Sequence, residues 1–141
     1  AHCAVKLALS KLPITLEDQK VLVVGWGRIG KCLAQLLRNL GAEVAVQARK
    51  ESDLAILAAL GYLPRQKIDG YRVIFNTVPA PIIGETECEL CRSDCLKIDL
   101  ASDQGIAGED VLWARGLPGK DAPESSGRLI ALTAARLLET R

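Results

Sequence analysis

The chain has 141 residues, of which 49% are apolar and 25% are charged, a composition that is ordinary for one globular domain. Its formal net charge of +1 provides no basic surface on which to expect nucleic acid or an anionic membrane. The longest apolar runs have the length of β-strands rather than of a membrane span. We therefore expect no nucleic-acid partner and no membrane partner.

The amino-terminal stretch, residues 1–12, predicts a helix that ends before Pro13. The chain begins with Ala1 and contains no methionine, so we expect a piece cut from a longer protein. On this interpretation residues 1–141 form a single dinucleotide-binding domain, excised from a two-domain protein, and residues 1–12 are a connecting helix.

A glycine-rich turn follows the first predicted strand. Val21–Val24 are consecutive apolar residues, which predict a strand buried on both faces. Gly25, Gly27 and Gly30 follow with the spacing G-x-G-x-x-G, and a helical apolar pattern then runs to Gly41. This context is typical of a dinucleotide-binding turn, whose glycines permit a tight turn, close approach of a pyrophosphate and close helix–strand packing. The alternative is a glycine-rich turn that binds nothing.

Strands and helices alternate along the rest of the chain. The predicted strands are 44–46, 62–63 (limited by Pro64), 72–76, 96–100 and 111–113. The predicted helices are one capped by Ser52 that ends at Gly61, a polar one over 85–93, and a last one capped by Ser125 or Ser126 with Leu129, Ile130, Thr133, Ala134, Leu137 and Leu138 on one face. Residues 116–120 predict an irregular loop. The alternation predicts an α/β fold: a Rossmann-type doubly wound parallel sheet of about six strands with flanking helices, three-layer α/β/α.

Polar or small residues follow three of the predicted strands, at 25–30, 76–79 and 99–102. The fold would bring all three stretches to one crevice at the carboxyl edge of the sheet, where ligands of such folds bind. With the end of the second strand added, the candidate cofactor-binding residues are Gly25, Trp26, Gly27, Arg28, Ile29, Gly30, Ala48, Arg49, Lys50, Ser52, Asn76, Thr77, Val78, Pro79, Asp99, Leu100, Ala101 and Ser102.

The end of the second strand bears on the choice between NAD and NADP. NAD-selective sites place an acid about 20 residues beyond the glycines, where it binds the ribose 2′-hydroxyl. Here no acid occurs in that region before Glu51, whereas Arg49 can pair with a 2′-phosphate. We therefore expect NADP or NADPH as the cofactor. The alternative is a solvated basic pair, Arg49 and Lys50, at the start of a helix.

The five cysteines are an odd number, and four lie within or beside predicted core elements, which favours a reducing cytoplasm. Cys88, Cys91 and Cys95 have the spacing C-x-x-C-x-x-x-C. A metal site would need a further ligand or an open position, so we expect these cysteines to pack as small apolar residues and to hold no metal. The single histidine, His2, lies at the terminus, which argues against a catalytic triad or a Cys–His pair.

The motifs Gly25–Gly30, Ala48–Arg49, Ile74–Ala80, Ile98–Ser102 and Gly116–Pro123 resemble, in that order, the A-type subunit of dipicolinate synthase. The likeness runs from about Ala4 to Leu138 and corresponds to the carboxyl-terminal, nucleotide-binding half of that family. It implies an NADP-dependent oxidoreductase that oxidises a dihydro- or tetrahydrodipicolinate-type intermediate of the lysine branch to dipicolinate in bacterial sporulation. It also implies the flavoprotein-like B-type subunit of dipicolinate synthase as partner, and we expect a cytoplasmic homo-oligomer. This chain departs from the family at Trp26, which is bulky for the turn, and at residues 103–105.

The substrate implied by the resemblance is a dicarboxylate, which needs cations. We expect Lys120 to reach a substrate carboxylate, with Gly119 and Ser126 nearby; the alternative is a solvated loop lysine. The candidate catalytic residues are Asn76, Asp99, Ser102 and Lys120. Because the second lobe that would exclude water and position substrate is absent, we expect the fragment to fold without turning over substrate. Two other functions stay open: the nucleotide domain of another two-domain dehydrogenase, of hydroxyacid or methylene-tetrahydrofolate type, and a non-catalytic NADP-sensing domain.

Overall fold

The computed structural model describes residues 1–140, apart from the side chain of Asp121; Arg141, the last residue of the predicted domain, lies outside the described residues. The helices are α1 (His2–Lys11), α2 (Arg28–Asn39), α3 (Glu51–Ala59), α4 (Glu85–Leu90), α5 (Leu117–Asp121) and α6 (Pro123–Glu139). The strands are β1 (Lys20–Val24), β2 (Glu43–Gln47), β3 (Leu63–Pro64), β4 (Val73–Asn76), β5 (Leu96–Asp99) and β6 (Leu112–Trp113). Among residues 1–140 no helix is both long and apolar enough to cross a membrane.

The strands form one parallel sheet in the order β3-β2-β1-β4-β5-β6. This order confirms the predicted Rossmann-type doubly wound sheet, with the chain winding outward from β1 to one edge and from β4 to the other. The carboxyl ends of β1 and β4 are adjacent at the point where the winding reverses. Such a switch point opens a crevice, because the connections from the two strands leave in opposite directions.

The central strands are buried on both faces, as the run of apolar residues in β1 predicts. Val21 and Val23 belong to one apolar cluster, whereas Leu22 and Val24 belong to a second cluster on the opposite face. Helices α1 and α2 cover the first face; α1 contributes buried Ala4, Val5 and Ala8, and α2 contributes buried Leu33 and Leu37. The second face is covered by a 3₁₀ turn over Ile68–Gly70, by residues next to α4 and by the loop that contains Ile106.

The strands predicted at 44–46, 72–76, 96–100 and 111–113 differ from the structure by one residue at one or both ends, and three further boundaries in the middle of the chain are also wrong. The third strand is Leu63–Pro64 rather than 62–63; an edge strand tolerates Pro64 because no outer neighbour needs its missing N–H. Helix α3 begins at Glu51 with Lys50 before it, so Ser52 lies inside the first turn and is not the cap. Helix α4 ends at Leu90, not at residue 93, and the chain turns at Cys91.

The carboxyl-terminal region also differs from the prediction. Residues 116–120 are not an irregular loop: Gly116 takes a left-handed conformation with φ of 61°, and helix α5 begins at once after it. Helix α6 begins at Pro123, whose fixed φ suits a first helical position, so neither Ser125 nor Ser126 is the cap. The apolar side chains that share one face of α6 stay exposed, and no described residue of this helix is buried.

Candidate functional site

A cleft of about 480 Å³ opens at the carboxyl edge of the sheet, at the switch point between β1 and β4. Of the predicted cofactor-binding residues, it is lined by Gly25, Trp26, Gly27, Ala48, Arg49, Lys50, Val78 and Pro79. It is also lined by Val24, Gln47, Asp53, Ala80 and Ile82, which the sequence pattern did not single out. The other predicted residues do not line it: Arg28, Ile29, Gly30, Ser52, Asn76, Thr77, Asp99, Leu100, Ala101 and Ser102.

The glycine turn forms the floor of this cleft. Gly25 has a φ of 105° and its amide donates to the carbonyl of Gln47 at 2.9 Å, which extends the pairing of β1 with β2. A Cβ on Gly25 would come closer than 3.0 Å to Oγ1 of Thr77, whose hydroxyl donates to the carbonyl of Val24 at 2.7 Å. A Cβ on Gly27 would meet no described atom within 4 Å. The turn is therefore closed at Gly25 but open above Gly27, where a ligand can approach the backbone.

Trp26 stands between these glycines, where the resembled family led us to expect a smaller residue. Its ring packs edge-on against Tyr62 with 5.5 Å between the ring centroids, and Nζ of Lys31 lies 5.9 Å from the Trp26 centroid. Tyr62 is buried. The indole thus gains an apolar neighbour while it still contributes one wall of the cleft.

The end of β2 supplies most of the charge in the cleft. Arg49 and Lys50 line it as predicted, and Asp53 from the first turn of α3 lines it as well. The last residue of β2 is Gln47, a neutral amide, at the strand end where NAD-selective domains place a carboxylate. Gln47 could have been identified from the sequence as the residue that ends the second strand. Asp53 could have been identified because it lies one helical turn beyond Lys50, at the start of α3.

Asn76 and Asp99 end the neighbouring strands β4 and β5, and both are fully buried. Nδ2 of Asn76 donates to the carbonyl of Val78 at 2.9 Å and to Oδ1 of Asp99 at 3.1 Å. The amide of Val78 donates to Oδ1 of Asn76 at 3.0 Å. This pair therefore fixes the path of the chain along the wall of the cleft.

Asp99 also organises the loop that follows β5. Its Oδ1 accepts from the amide of Ala101 at 3.1 Å, and its Oδ2 accepts from the amides of Gly105 and Ile106 at 2.7 and 2.9 Å. Nε1 of Trp113 donates to the carbonyl of Ala101 at 2.9 Å, whereas Ser102 is exposed. Both carboxylate oxygens of Asp99 are thus occupied by the protein itself.

A second, smaller cavity of about 190 Å³ lies beyond the glycine turn. It is bounded by Ile29 and Leu100 on the side of the sheet, by the start of α5 at Gly116–Pro118, and by the amino-terminal residues Ala1, Cys3 and Ala4. Of the predicted substrate residues, Gly119 and Lys120 lie exposed in α5 and do not line the cavity. The hydroxyl of Ser126 donates to the carbonyl of Pro118 at 3.0 Å, which ties α6 to α5.

The three neighbouring cysteines pack against the second face of the sheet. Cys88, Cys91 and Cys95 adjoin the apolar cluster there, and Sγ of Cys88 donates to the carbonyl of Ala107 at 3.0 Å. Burial raises the pKa of Cys88 and of Cys91, and it raises the pKa of Cys95 to about 12. Among residues 1–140 no group of His, Cys, Asp and Glu is arranged to hold a metal ion. The expectation that these cysteines bind no metal stays a prediction.

A buried lysine lies beside these cysteines. Lys97 is the second residue of β5, and its Nζ lies 2.6 Å from Oδ2 of the largely exposed Asp110. Burial alone lowers the pKa of Lys97, but the hydrogen bond and charge of Asp110 outweigh it and hold the pKa above 10.5. The same contact lowers the pKa of Asp110 below 3.8. This ion pair joins the loop of residues 100–111 to strand β5 of the sheet.

No protein-family model matches the chain. The A-type subunit of dipicolinate synthase from Bacillus subtilis (strain 168) is 30% identical to it over 148 residues, which cover 95% of this chain and 50% of that protein. The crystal structure of the A-type subunit of dipicolinate synthase from Bacillus halodurans superposes with a TM-score of 0.88 at 31% identity, covering 97% of this chain and 52% of that one.

The crystal structure of the corresponding dipicolinate synthase chain from Bacillus subtilis superposes with a TM-score of 0.90 at 29% identity, covering 99% of this chain and 51% of that one. The chain thus spans about half the length of the relatives that it matches. Sequence and fold agree, and the chain is therefore related to the A-type subunit of dipicolinate synthase over nearly all of its own length.

Proposed function

We propose that this chain is the NADP-binding domain of an oxidoreductase that forms dipicolinate, as the name of its relatives indicates. The observation that carries the proposal is the cleft at the β1–β4 switch point, with an open glycine turn at one end and Arg49 and Lys50 at the other. These groups match the phosphates of a 2′-phosphorylated dinucleotide.

Each part of the cleft suits one part of the cofactor. The backbone at Gly27 and the first N–H groups of α2 would hold the pyrophosphate, since a helix N-terminus carries free donors and partial positive charge. Arg49 and Lys50 would hold the 2′-phosphate, and Val78, Pro79 and Ile82 offer an apolar wall for the adenine. When bound, the nicotinamide ring supplies a hydride acceptor for oxidation of the substrate.

The substrate side of the proposal rests on Lys120. Helix α5 borders the small cavity next to Ile29 and Leu100, beyond the glycine turn, where the nicotinamide end would lie. From this helix Gly119 and Lys120, together with Ser126 of α6, would face a dicarboxylate substrate. The buried Asn76–Asp99 pair would hold in place the loops that follow β4 and β5. Ser102 is exposed, so its hydroxyl would be accessible to a substrate.

The remaining parts of the function concern the whole protein. We propose that the domain acts in a cytoplasmic, homo-oligomeric enzyme together with a different, B-type partner, since its relatives are named as one subunit of a synthase. A further lobe would cover the nicotinamide end, exclude water and position the substrate. The isolated chain would then bind the cofactor without steady turnover.

Calorimetric titration with NADP and NAD tests the cofactor assignment. A charge-assisted contact from Arg49 contributes about 1.5–3 kcal/mol, so NADP should bind roughly 10- to 100-fold more tightly than NAD. Arg49→Glu should invert this preference, whereas Arg128→Glu, the same charge change on the exposed helix α6, should leave it intact. Equal affinity of the wild-type chain for the two cofactors would contradict the assignment.

Kinetics of the longer enzyme that contains this domain test the substrate assignment. Lys120→Ala should lower kcat/KM while NADP affinity stays unchanged, since Lys120 would touch the substrate alone. Weaker NADP binding in this variant would place Lys120 on the cofactor instead.

A further inference from the structure

Gln47 occupies a decisive position in the cleft. It is the last residue of β2 and lines the cleft beside Arg49 and Lys50. At this strand end an acid would accept hydrogen bonds from the ribose hydroxyls of NAD. Gln47 instead carries one acceptor, Oε1, and one donor, the Nε2 amide group, so what it offers a ligand depends on which group is free.

Arg65 decides which group of Gln47 is free. Its Nη1 donates to Oε1 of Gln47 at 2.6 Å. A guanidinium has only donors, so the group it contacts must be the amide oxygen and not the amide nitrogen. Oε1 is thereby turned toward Arg65, and the NH₂ is the group of the side chain that remains to be presented to a ligand.

Arg65 is itself held from outside the cleft. It follows the edge strand β3 directly, is part-buried, and pairs through Nη2 with Glu87 on helix α4. It does not line the cleft. Because Glu87 balances its charge, Arg65 acts on the cleft through the orientation of Gln47 more than through its own field. Glu87, Arg65 and Gln47 thus form a chain from α4 to the adenosine end of the cleft.

We propose that the Gln47 amide nitrogen is a donor to the 2′-phosphate of the cofactor and that Arg65 is the positioning residue which imposes this orientation. The inference rests on the proposed NADP-binding function and names a specificity determinant within that site. Phosphate oxygens are acceptors and suit the remaining NH₂, whereas Oε1, which could accept from a ribose 2′-hydroxyl, is held toward Arg65, a residue that does not line the cleft. Orientation of one amide thus favours the phosphorylated ribose, whose charged oxygens accept more strongly from the NH₂ than a neutral hydroxyl does.

Two fragments of the cofactor isolate this effect. Adenosine 2′,5′-bisphosphate and adenosine 5′-monophosphate differ only in the 2′-phosphate, so the ratio of their dissociation constants, measured by calorimetry, reports on that group alone. Arg65→Met and Gln47→Ala should each reduce the preference for the bisphosphate about fivefold, as expected for one hydrogen bond, chiefly by weakening bisphosphate binding. The double variant should lose no more than either single variant, since both remove the same contact. Glu87→Gln changes the more exposed member of the Arg65–Glu87 pair. It should also reduce the preference for the bisphosphate, but by less than Arg65→Met does.

Arg72→Met is the matched control. Arg72 immediately precedes β4 and pairs with Asp94, so it lies at the amino-terminal ends of the strands, whereas the cleft lies at their carboxyl ends. This variant should leave the preference unchanged. The inference is overturned if Arg65→Met leaves the ratio unchanged, if it weakens both nucleotides equally, or if the two single effects add. If the wild-type chain prefers the bisphosphate and Arg65→Met retains that preference, this inference alone fails. If the wild-type chain binds neither nucleotide, the proposed function fails first.

Discussion

Gly30 packs directly against the backbone of Gly25: a Cβ at position 30 would come closer than 3.0 Å to the carbonyl oxygen of Gly25. The first turn of α2 thus rests on the end of β1 with no room for a side chain between them. At Gly27, midway between the two, the space is open. The three glycines of the turn therefore serve different purposes, and substitution separates them.

Gly30→Ala should destabilise the fold, whereas Gly27→Ala should chiefly impair ligand binding. The added methyl at position 30 forces α2 away from β1, an overpacking that costs about 1–3 kcal/mol. At position 27 the methyl fits the free protein, so the free energy of unfolding should fall by no more than about 1 kcal/mol, the cost of a poorer helix cap. Urea unfolding and NADP titration of both variants provide the comparison. Unimpaired NADP binding by Gly27→Ala would show that the ligand does not approach this backbone.

Asp99→Asn should be strongly destabilising even though it changes a single atom type. Each oxygen of Asp99 accepts two hydrogen bonds in a fully buried position, so an amide there would turn one NH₂ toward backbone or side-chain donors. We expect a loss of about 3 kcal/mol in the free energy of unfolding. Asp103→Asn, at an exposed position of the same loop, is the control. Equal urea midpoints for the two variants would contradict the role of Asp99.

The Lys97–Asp110 pair should make stability depend on acid pH. The folded-state pKa of Asp110 lies below 3.8, so its contribution is present above that value and is lost as pH falls through the lowered pKa. Near neutral pH the free energy of unfolding of the wild type should exceed that of Asp110→Asn. The difference should be only about 1 kcal/mol, because Asp110 is largely exposed and its charge is screened. Urea unfolding at several pH values should show the difference vanish in acid. A difference that persists unchanged there would exclude ionisation of Asp110 as its source.

Removal of residues 123–141 should leave the stability of the remaining domain nearly unchanged. Helix α6 has no buried residue among those described, and Leu129, Ile130 and Leu138 are each 67–71% exposed. A helix without apolar burial contributes little to the folded state. The urea midpoint of the truncated chain should match that of the full chain, and hydrogen exchange in α6 should be fast. Unfolding of the truncated chain would show that α6 supports the core.

The fold was largely predictable because local patterns and burial agree in its centre. The apolar run before Gly25 and the helical spacing of Leu33 and Leu37 indicate a strand and a helix packed together, and the structure confirms both. The prediction is wrong where backbone conformation, rather than apolar spacing, determines where a helix begins. Gly116 starts α5 from a left-handed conformation, and Pro123 starts α6 without a serine cap.

The candidate site was predictable only in part. Gly25, Gly27, Arg49 and Pro79 lie within three residues of a strand end, so strand positions were enough to place them in the cleft. Asn76 and Asp99 also follow that rule, yet they bond to each other and to nearby amides, which depends on the loop path and not on strand position. Arg65 could not be identified, because its link to Gln47 joins residues brought together by the pairing of β2 with β3.

Both edges of the sheet are short. The outer strands β3 and β6 contain two residues each, and β3 includes Pro64, which has no N–H to donate. A long edge strand presents unpaired N–H and C=O groups on which a second chain can add its own strand. Here such a template is only two residues long on either side, so the buried apolar strands at the centre are protected from edge-to-edge aggregation by the brevity of the strands that flank them.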